Sequence, residues 1–447
     1  MAEPLIPSAF TVEPAVALAG RVTLPPDKSI AHRAAILSAL AEGETQIVGY
    51  PAAADPQSTL TVLRALGVEI EGRDDSLFVQ GVGLRGFHAP EGPLDCGNSG
   101  TTMRLMAGVL AGQGFPSTLV GDASLSRRPM DRIAEPLRQM GAALTLTDGH
   151  APVRIDGRPL RGIEYRLPVA SAQVKSCVLL AGLLAKGPTT VIETTPSRDH
   201  TERMLGLPVF SLGAERHISA EGGAPVPWGL RVVPRDFSAA AFFLVAGSVV
   251  PTATLELLQV GLNPSRTALL DVLRAMGARI EVQNERERGS EPIGDLRVHA
   301  PEGLVGVEVG GALIPNLIDE IPVLAVAAAC AGGTTTIRDA AELRYKETDR
   351  LAATAAFLQA MGASVEETPD GLVIEGGHPL RGATIESRGD HRIAMAAAVA
   401  SLTASGATTI EGADAVAVSF PGFWDELDAL AGGGLVGNTA FRSRNGT

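Results

Sequence analysis

The chain has 447 residues, enough for two or three domains with ample hydrophobic cores, so it is not a small scaffold that depends on staples. With 37 basic and 50 acidic residues its formal charge is −13, which argues against a general affinity for nucleic acid or for an anionic membrane; any anionic ligand must be held by a local basic pocket. Cys96, Cys177 and Cys330 are far apart and lack CxxC spacing, which indicates neither a disulfide framework nor a zinc cluster and fits a reducing cytoplasm.

From the N-terminus, the first twenty residues contain no Lys or Arg, so no secretory signal is read there. LPPDKSIAHRAAILSAL predicts a first helix that Asp27 or Ser29 caps, with Lys28 and Arg33 near its start; free N–H groups plus two cations make an anion site, although an ordinary cap with solvated charges explains this segment alone. DCGNSGTTMR, residues 95–104, sets small residues and hydroxyls before a second such helix, where backbone donors can approach a phosphate or carboxylate. SLSRRPM, residues 124–130, offers Arg127 and Arg128 as a bidentate clamp for an anion, or a basic surface corner.

SAQVKS, residues 171–176, opens a further apolar helix with Ser171 and Gln173, and SRDHTE, residues 197–202, gathers Ser197, Arg198, Asp199 and His200 at another helix start. The Ser, Asp and His of that segment evoke a hydrolase, but no GxSxG elbow accompanies them. VVPRDFSAAAFF begins the second half, and the apolar runs at 239–250 and 321–331 fall short of the roughly 18–20 residues that span a bilayer. LIPNLIDEIPVL places Asp319 and Glu320 before a buried-looking helix. In LRYKETDRLAATAAFL, Lys346 and Arg350 are four apart and Glu347 is three from Arg350, so a continuous helix puts them on one face, as a surface ladder or as a functional cluster. SRGDHRIAMAAAVASL sets Asp390, His391 and Arg392 before a helix apolar all round, whose charged entry must lie at a rim or pocket. The tail from Gly432 reads as loose.

Two phrases repeat along this path. LRALGVEIE from Leu63, LRQMGAALT from Leu137, LRAMGARIE from Leu273 and LQAMGASVE from Leu358 each read as a helix end, a Gly stop and a strand. A turn and Thr-rich strand recur at Gly43, Gly114, Gly187, Val250, Gly333 and Gly406, with spacings of 71, 73, 63, 83 and 73 residues. Six α/β units of a sheet with helices beneath it, three to a domain, account for the length, with one domain over 21–234 and the other over 1–20 and 235–447. Helix starts pointing the same way in both halves predict an electropositive interdomain cleft for small, multiply charged anions, with Asp319 and Glu347 as proton-transfer candidates. There is no HExxH, calcium-loop or Walker A pattern, and the GxGxxG spacings in GVGLRG, residues 81–86, and GGGLVG, residues 432–437, open no helical pattern, so neither metal nor nucleotide binding has support.

The segments PPDKSIAHR, GNSGTTMR, GDASLSRRPM, SAQVKS, SRDHTE, KETDRL and DHRIAM resemble, in order, those of the 5-enolpyruvylshikimate-3-phosphate synthase family, within the enolpyruvyl transferases. The resemblance implies a two-domain inverted α/β barrel of six βαβαββ units. It implies transfer of the enolpyruvyl group of phosphoenolpyruvate to the 5-hydroxyl of shikimate 3-phosphate, with release of phosphate and no metal or cofactor, on the route to chorismate and aromatic amino acids. By motif, Lys28, Ser29, Arg33, Ser171, Gln173, Ser197, Asp319 and Lys346 would contact shikimate 3-phosphate. Lys28, Gly100, Arg128, Gln173, Arg350 and Arg392 would hold phosphoenolpyruvate. Asp319 would act as base on the attacking hydroxyl and Glu347 as acid/base at the methylene carbon, with Lys28 beside them. A cytoplasmic monomer is expected, with small-molecule substrates, no nucleic-acid or membrane partner, and glyphosate as an inhibitor at the phosphoenolpyruvate site.

The chain departs from some members at Ala172, where they carry a second Ser, and at Val418, where they carry a substrate-binding Lys. The third unit is short around LGLPVFSLG. The alternatives are the related UDP-N-acetylglucosamine enolpyruvyl transferase, whose mobile-loop Cys has no counterpart in GDASLSRRPMD, and a non-catalytic ring built from the same repeats, in which acids would not sit inside the basic motifs.

Overall fold

The structure is a computed structural model that describes residues 8–438. Among the described residues twelve α-helices alternate with strands. They are α1 (Lys28–Leu40), α2 (Ala54–Ala65), α3 (Gly100–Ala111), α4 (Asp131–Gln139), α5 (Ala172–Leu183), α6 (His200–Leu205), α7 (Phe237–Val249), α8 (Ala268–Ala275), α9 (Ile321–Cys330), α10 (Arg350–Ala360), α11 (His391–Ser401) and α12 (Phe423–Leu430). The odd-numbered helices carry Ala, Leu, Val and Gly on every side and are almost wholly buried. Even-numbered helices such as α4 and α8 bury one stripe and show charge on the other.

Every Thr-rich phrase is a strand, and each occupies the same place in one of six four-stranded sheets. Thr189–Glu193 illustrates the rule: it runs parallel to Glu164–Arg166 on one side and antiparallel to Glu215–Ala220 on the other, with Val209–Leu212 at the edge. The repeated glycines close the preceding helices, and Gly67, Gly141, Gly277 and Gly362 take φ of +88°, +94°, +100° and +89°, the left-handed turn that a side chain would strain.

By its internal contacts the chain divides into two compact units, a first of residues 26–234 and 287–291 and a second of the remainder. Each has its own hydrophobic core. In the first, α1, α3 and α5 pack on one another and on the middle strands of three sheets; in the second, α7, α9 and α11 do the same, so helices lie inside and sheets outside. Close approach needs small residues: a Cβ at Gly108 of α3 would lie 2.3 Å from the Cys177 carbonyl oxygen of α5. The break anticipated at residue 21 falls after Pro25, because Ala17–Val22 pairs in parallel with Thr252–Gly261 and carries Arg21 and Val22 with it. The tail also differs from expectation. Val436–Asn438 adds an antiparallel strand to Ala9–Val12, and the Asp428 carboxylate accepts from the Leu435 and Val436 amides. Residues 439–447 of that tail lie outside the described residues.

Candidate active site

In the first unit, Asp27 rather than Ser29 caps α1, its Oδ1 accepting from the Ile30 amide at 2.9 Å. That makes Lys28 the first helical residue, with its ammonium 2.9 Å from Asp55 Oδ2 at the start of α2. One turn on, the buried Arg33 donates to the Ser29 carbonyl at 2.8 Å, to Thr201 Oγ1 at 2.8 Å and to Ser176 Oγ at 2.9 Å. One guanidinium thus ties the starts of α1, α5 and α6. Beneath it, His32 Nδ1 lies 2.7 Å from Thr59 Oγ1, which in turn lies 2.7 Å from Thr102 Oγ1. Burial, and then the charges of Lys28 and Arg33, hold the His32 pKa well below its usual value, so the ring is neutral at pH 7.

The GNSGTT segment makes a second constellation. Ser99 caps α3 through the Thr102 amide at 3.1 Å. Gln173 spans to it from α5, accepting from Arg104 Nη1 at 2.6 Å and donating to Thr101 Oγ1 at 2.9 Å. Arg128 donates to Asn98 Oδ1 at 2.6 Å, and a Cβ on Gly100 would sit between the Arg104 and Arg128 guanidiniums at 3.0 and 3.4 Å. Gly100, Arg128 and Gln173 are therefore brought together, with Arg104, Asn98 and Thr101 as their partners. The clamp of paired arginines is not formed: Arg127 is exposed while Arg128 is buried. Ser171 caps α5, accepting from Val174 N at 3.4 Å.

At α6 the hydrolase pattern comes apart into three separate pairings. Ser197 Oγ donates to Glu193 at 2.9 Å, His200 Nδ1 is 2.7 Å from Glu291, and Arg203 donates to Asp199 at 2.9 Å. Ser197 is buried, and because its hydroxyl donates to Glu193 its oxygen keeps only acceptor capacity for any other group; to donate elsewhere it must release Glu193.

In the second unit the charged motifs converge on Arg350, the first residue of α10 and 1% exposed. Its Nε donates to Asp390 at 2.8 Å, Nη1 to Asp319 at 3.2 Å and Nη2 to Glu347 at 2.6 Å. Burial works against the charge, but Asp390, Glu347 and Asp319 outweigh it and raise the guanidinium pKa further, so Arg350 is a fixed cation. Lys346 Nζ is 3.5 Å from Asp319, and Arg392 donates to the Asp319 carbonyl at 2.9 Å while its Nη1 lies 3.7 Å from Glu320. The adjacent acids divide: Asp319 faces Lys346 and Arg350, whereas Glu320 is buried and accepts from Ser238 Oγ.

Lys346 and Glu347 do not share a helix with Arg350. The 3-10 turn Ala341–Tyr345 ends before them and Asp349 caps α10, so the two residues lie in a bend that turns both side chains to the same cluster. Nor is this a field of cations alone. Lys346, Arg350 and Arg392 meet Asp319, Glu320, Glu347 and Asp390, and the α10 and α11 N-termini offset the excess of acid. Asp390 both caps α11, accepting from Arg392 N at 2.9 Å, and anchors Arg350. Val418 ends the 3-10 turn Ala413–Val418, where an aliphatic side chain supplies no cation.

The sequence reading passed over Asp55, Ser176, Thr201 and Lys175. Lys175 had a legible signal, a single cation inside an otherwise apolar helix; Asp55, Ser176 and Thr201 are recognisable only through the partners that the fold gives them. Among the described residues there is no cluster of three metal-ligating side chains and no helix long and apolar enough to cross a membrane.

A family model for EPSP synthase (3-phosphoshikimate 1-carboxyvinyltransferase) matches residues 12–427. A 3-phosphoshikimate 1-carboxyvinyltransferase from Salinibacter ruber (strain DSM 13855 / M31) is 61% identical over 429 residues, which cover 94% of this chain and 99% of that one. One of the same name from Synechococcus sp. (strain WH7803) is 54% identical over 422 residues, 92% of this chain and 96% of the relative. The solved EPSP synthase from Acinetobacter baumannii superposes with a TM-score of 0.83 at 44% identity, covering 96% of this chain and 99% of its own. The enolpyruvyl transferase NikO from Streptomyces tendae shares the fold, with a TM-score of 0.76 at 19% identity over 94% of this chain and 97% of its own. The paired acids on a buried arginine, the helix-start cations and these likenesses agree, and the chain belongs to the EPSP synthase (3-phosphoshikimate 1-carboxyvinyltransferase) family.

Proposed function

We propose that the protein transfers the enolpyruvyl group of phosphoenolpyruvate to the 5-hydroxyl of shikimate 3-phosphate. The observation that carries the chemistry is the placement of Asp319 and Glu347 on one buried guanidinium, at 3.2 and 2.6 Å. Two carboxylates fixed by a common cation hold their spacing as a proton is taken up by one and given up by the other.

In this reading Glu347 gives a proton to the methylene carbon of phosphoenolpyruvate, which leaves C2 electron-poor. The 5-hydroxyl oxygen adds to C2 as Asp319 removes its proton. The C2–O bond to phosphate then breaks, inorganic phosphate departs with that electron pair and takes up the proton that Asp319 removed, and Glu347 recovers a proton from the new methyl group to restore the double bond. Arg128, Arg350 and Arg392, with Gln173, Gly100 and Lys28, hold the phosphoenolpyruvate carboxylate and phosphate. Lys28, Ser29, Arg33, Ser171, Gln173, Ser197, Asp319 and Lys346 hold shikimate 3-phosphate. Arg33, already committed to Ser29, Ser176 and Thr201, contributes chiefly by fixing the chain around the ligand.

The reading is tested by phosphate release from phosphoenolpyruvate with shikimate 3-phosphate or with UDP-N-acetylglucosamine as acceptor. Release with the first and not the second is expected; the reverse preference overturns the assignment.

A further inference from the structure

Beside α6 lies a cluster of ionised groups that the proposed reaction does not use. Lys175 on α5 is 0% exposed, and its ammonium lies 2.7 Å from Glu202, 3.1 Å from Glu193 and 3.2 Å from the Ser197 carbonyl. Glu193, 1% exposed at the end of its strand, also takes Arg216 Nη1 at 3.0 Å. The four charges balance, so the cluster is self-contained. A buried ion group is nevertheless a poor way to add stability, since apolar side chains of similar volume commonly do as well.

What distinguishes this cluster is where its bonds end. Ser197 receives three of them: its carbonyl accepts from Lys175, its amide donates to Glu193 Oε2 at 3.2 Å, and its hydroxyl donates to the same oxygen at 2.9 Å. The backbone before and after the hydroxyl, and the hydroxyl itself, are thus set by groups on α5 and on the preceding strand. We infer that Lys175 and Glu193 are positioning residues for Ser197, acting through it on the binding of the phosphorylated acceptor. This rests on the reading of Ser197 as a shikimate 3-phosphate contact. Lys175 also precedes Ser176, a partner of Arg33, so the same ammonium steadies the turn of α5 that carries Arg33's acceptor.

The test compares Ser197→Ala, the charge-balanced pair Lys175→Met with Glu202→Gln, and their combination, with Glu193→Asp as a variant that keeps the charge but withdraws the carboxylate from Ser197. Near-UV circular dichroism checks folding, titration calorimetry gives the Kd for shikimate 3-phosphate, and steady-state assays at saturating acceptor give kcat and the KM for phosphoenolpyruvate. We expect a Kd about ten-fold higher in Ser197→Ala, in the balanced pair and in Glu193→Asp, the scale of one lost hydrogen bond to a charged group. In the balanced pair and in Glu193→Asp the kcat and the KM for phosphoenolpyruvate should stay within about two-fold, a split that general loosening of the fold would not produce. The combined variant should bind no more weakly than Ser197→Ala, because the cluster acts through that residue. A folded pair or Glu193→Asp with unchanged Kd, beside a weakened Ser197→Ala, overturns the positioning role and leaves the ligand reading intact. Multiplying effects in the combined variant also overturn it. An unchanged Ser197→Ala removes both.

Discussion

Gly100→Ala offers a graded test of the phosphoenolpyruvate side. Gly100 opens α3 with a negative φ, so Ala costs no backbone strain there and gains up to about 1 kcal/mol of helix propensity. The methyl would lie 3.0 Å from Arg104 Nη1, 3.4 Å from Arg128 Nη1 and 3.6 Å from Leu125 Cδ1. The nearest of these is the end of a flexible side chain, which relieves the contact by moving a few tenths of an ångström. The Arg104–Gln173 bond, now 2.6 Å, then lengthens to about 3 Å and survives. A loss of about 0.5–1 kcal/mol in binding follows, so the KM for phosphoenolpyruvate should rise roughly two- to five-fold with no loss of stability. The methyl also fills space between two guanidiniums that a longer anion would occupy. Glyphosate, expected to compete with phosphoenolpyruvate in the unaltered enzyme, should lose at least about ten-fold more affinity than the substrate. Inhibition and Michaelis constants for both forms, measured by phosphate release, decide it. Equal losses for both ligands would show that Gly100 serves the anion site in general and does not discriminate by size.

Glu347→Gln keeps the shape of the side chain and one acceptor for Arg350, so folding and ligand binding should persist while kcat falls about 10²–10⁴-fold; near-normal turnover would remove Glu347 from the chemistry. Arg350→Met leaves the fully buried Asp390 without its guanidinium, and a denaturant titration should show a loss of about 3–5 kcal/mol. The folded-state pKa of His32 lies below its unfolded value near 6.5, so the unfolded chain binds the extra proton first and stability falls as pH drops below about 6.5, by at most about 1.4 kcal/mol per unit. His32→Asn should flatten that share of the slope in urea midpoints measured at pH 7.5 and 5.5, and identical slopes in the two proteins would refute the assignment.

Much of the fold was legible because it repeats. Four glycines with positive φ and six Thr-rich strands stand where the recurring phrases predicted, since a helix stop and the strand after it are local in sequence. The charged motifs were legible as clusters for the same reason, and the structure brings together Asp319, Lys346, Glu347, Arg350 and Arg392 from three separate phrases. Their geometry was not. Spacing placed Lys346 and Glu347 on a helix, but the Asp349 cap starts α10 only at Arg350, because its side chain takes the Ala352 amide. Arg127 and Arg128 looked like a pair, yet the 3-10 turn Leu125–Arg127 sends one outward and one inward. The tail from Gly432 opens with three glycines and reads as loose, while the Asp428 carboxylate that anchors its strand gives no local signal.

The central claim is that a proton is added to, and later removed from, the methylene carbon during transfer. Mass spectrometry of the product formed in D₂O from phosphoenolpyruvate and shikimate 3-phosphate tests it most directly. The account predicts a condensed product whose methylene group carries deuterium, formed as phosphate is released and about 10²–10⁴ times more slowly with Glu347→Gln. Phosphate release without a condensed product, or a condensed product free of deuterium at that carbon, would contradict it.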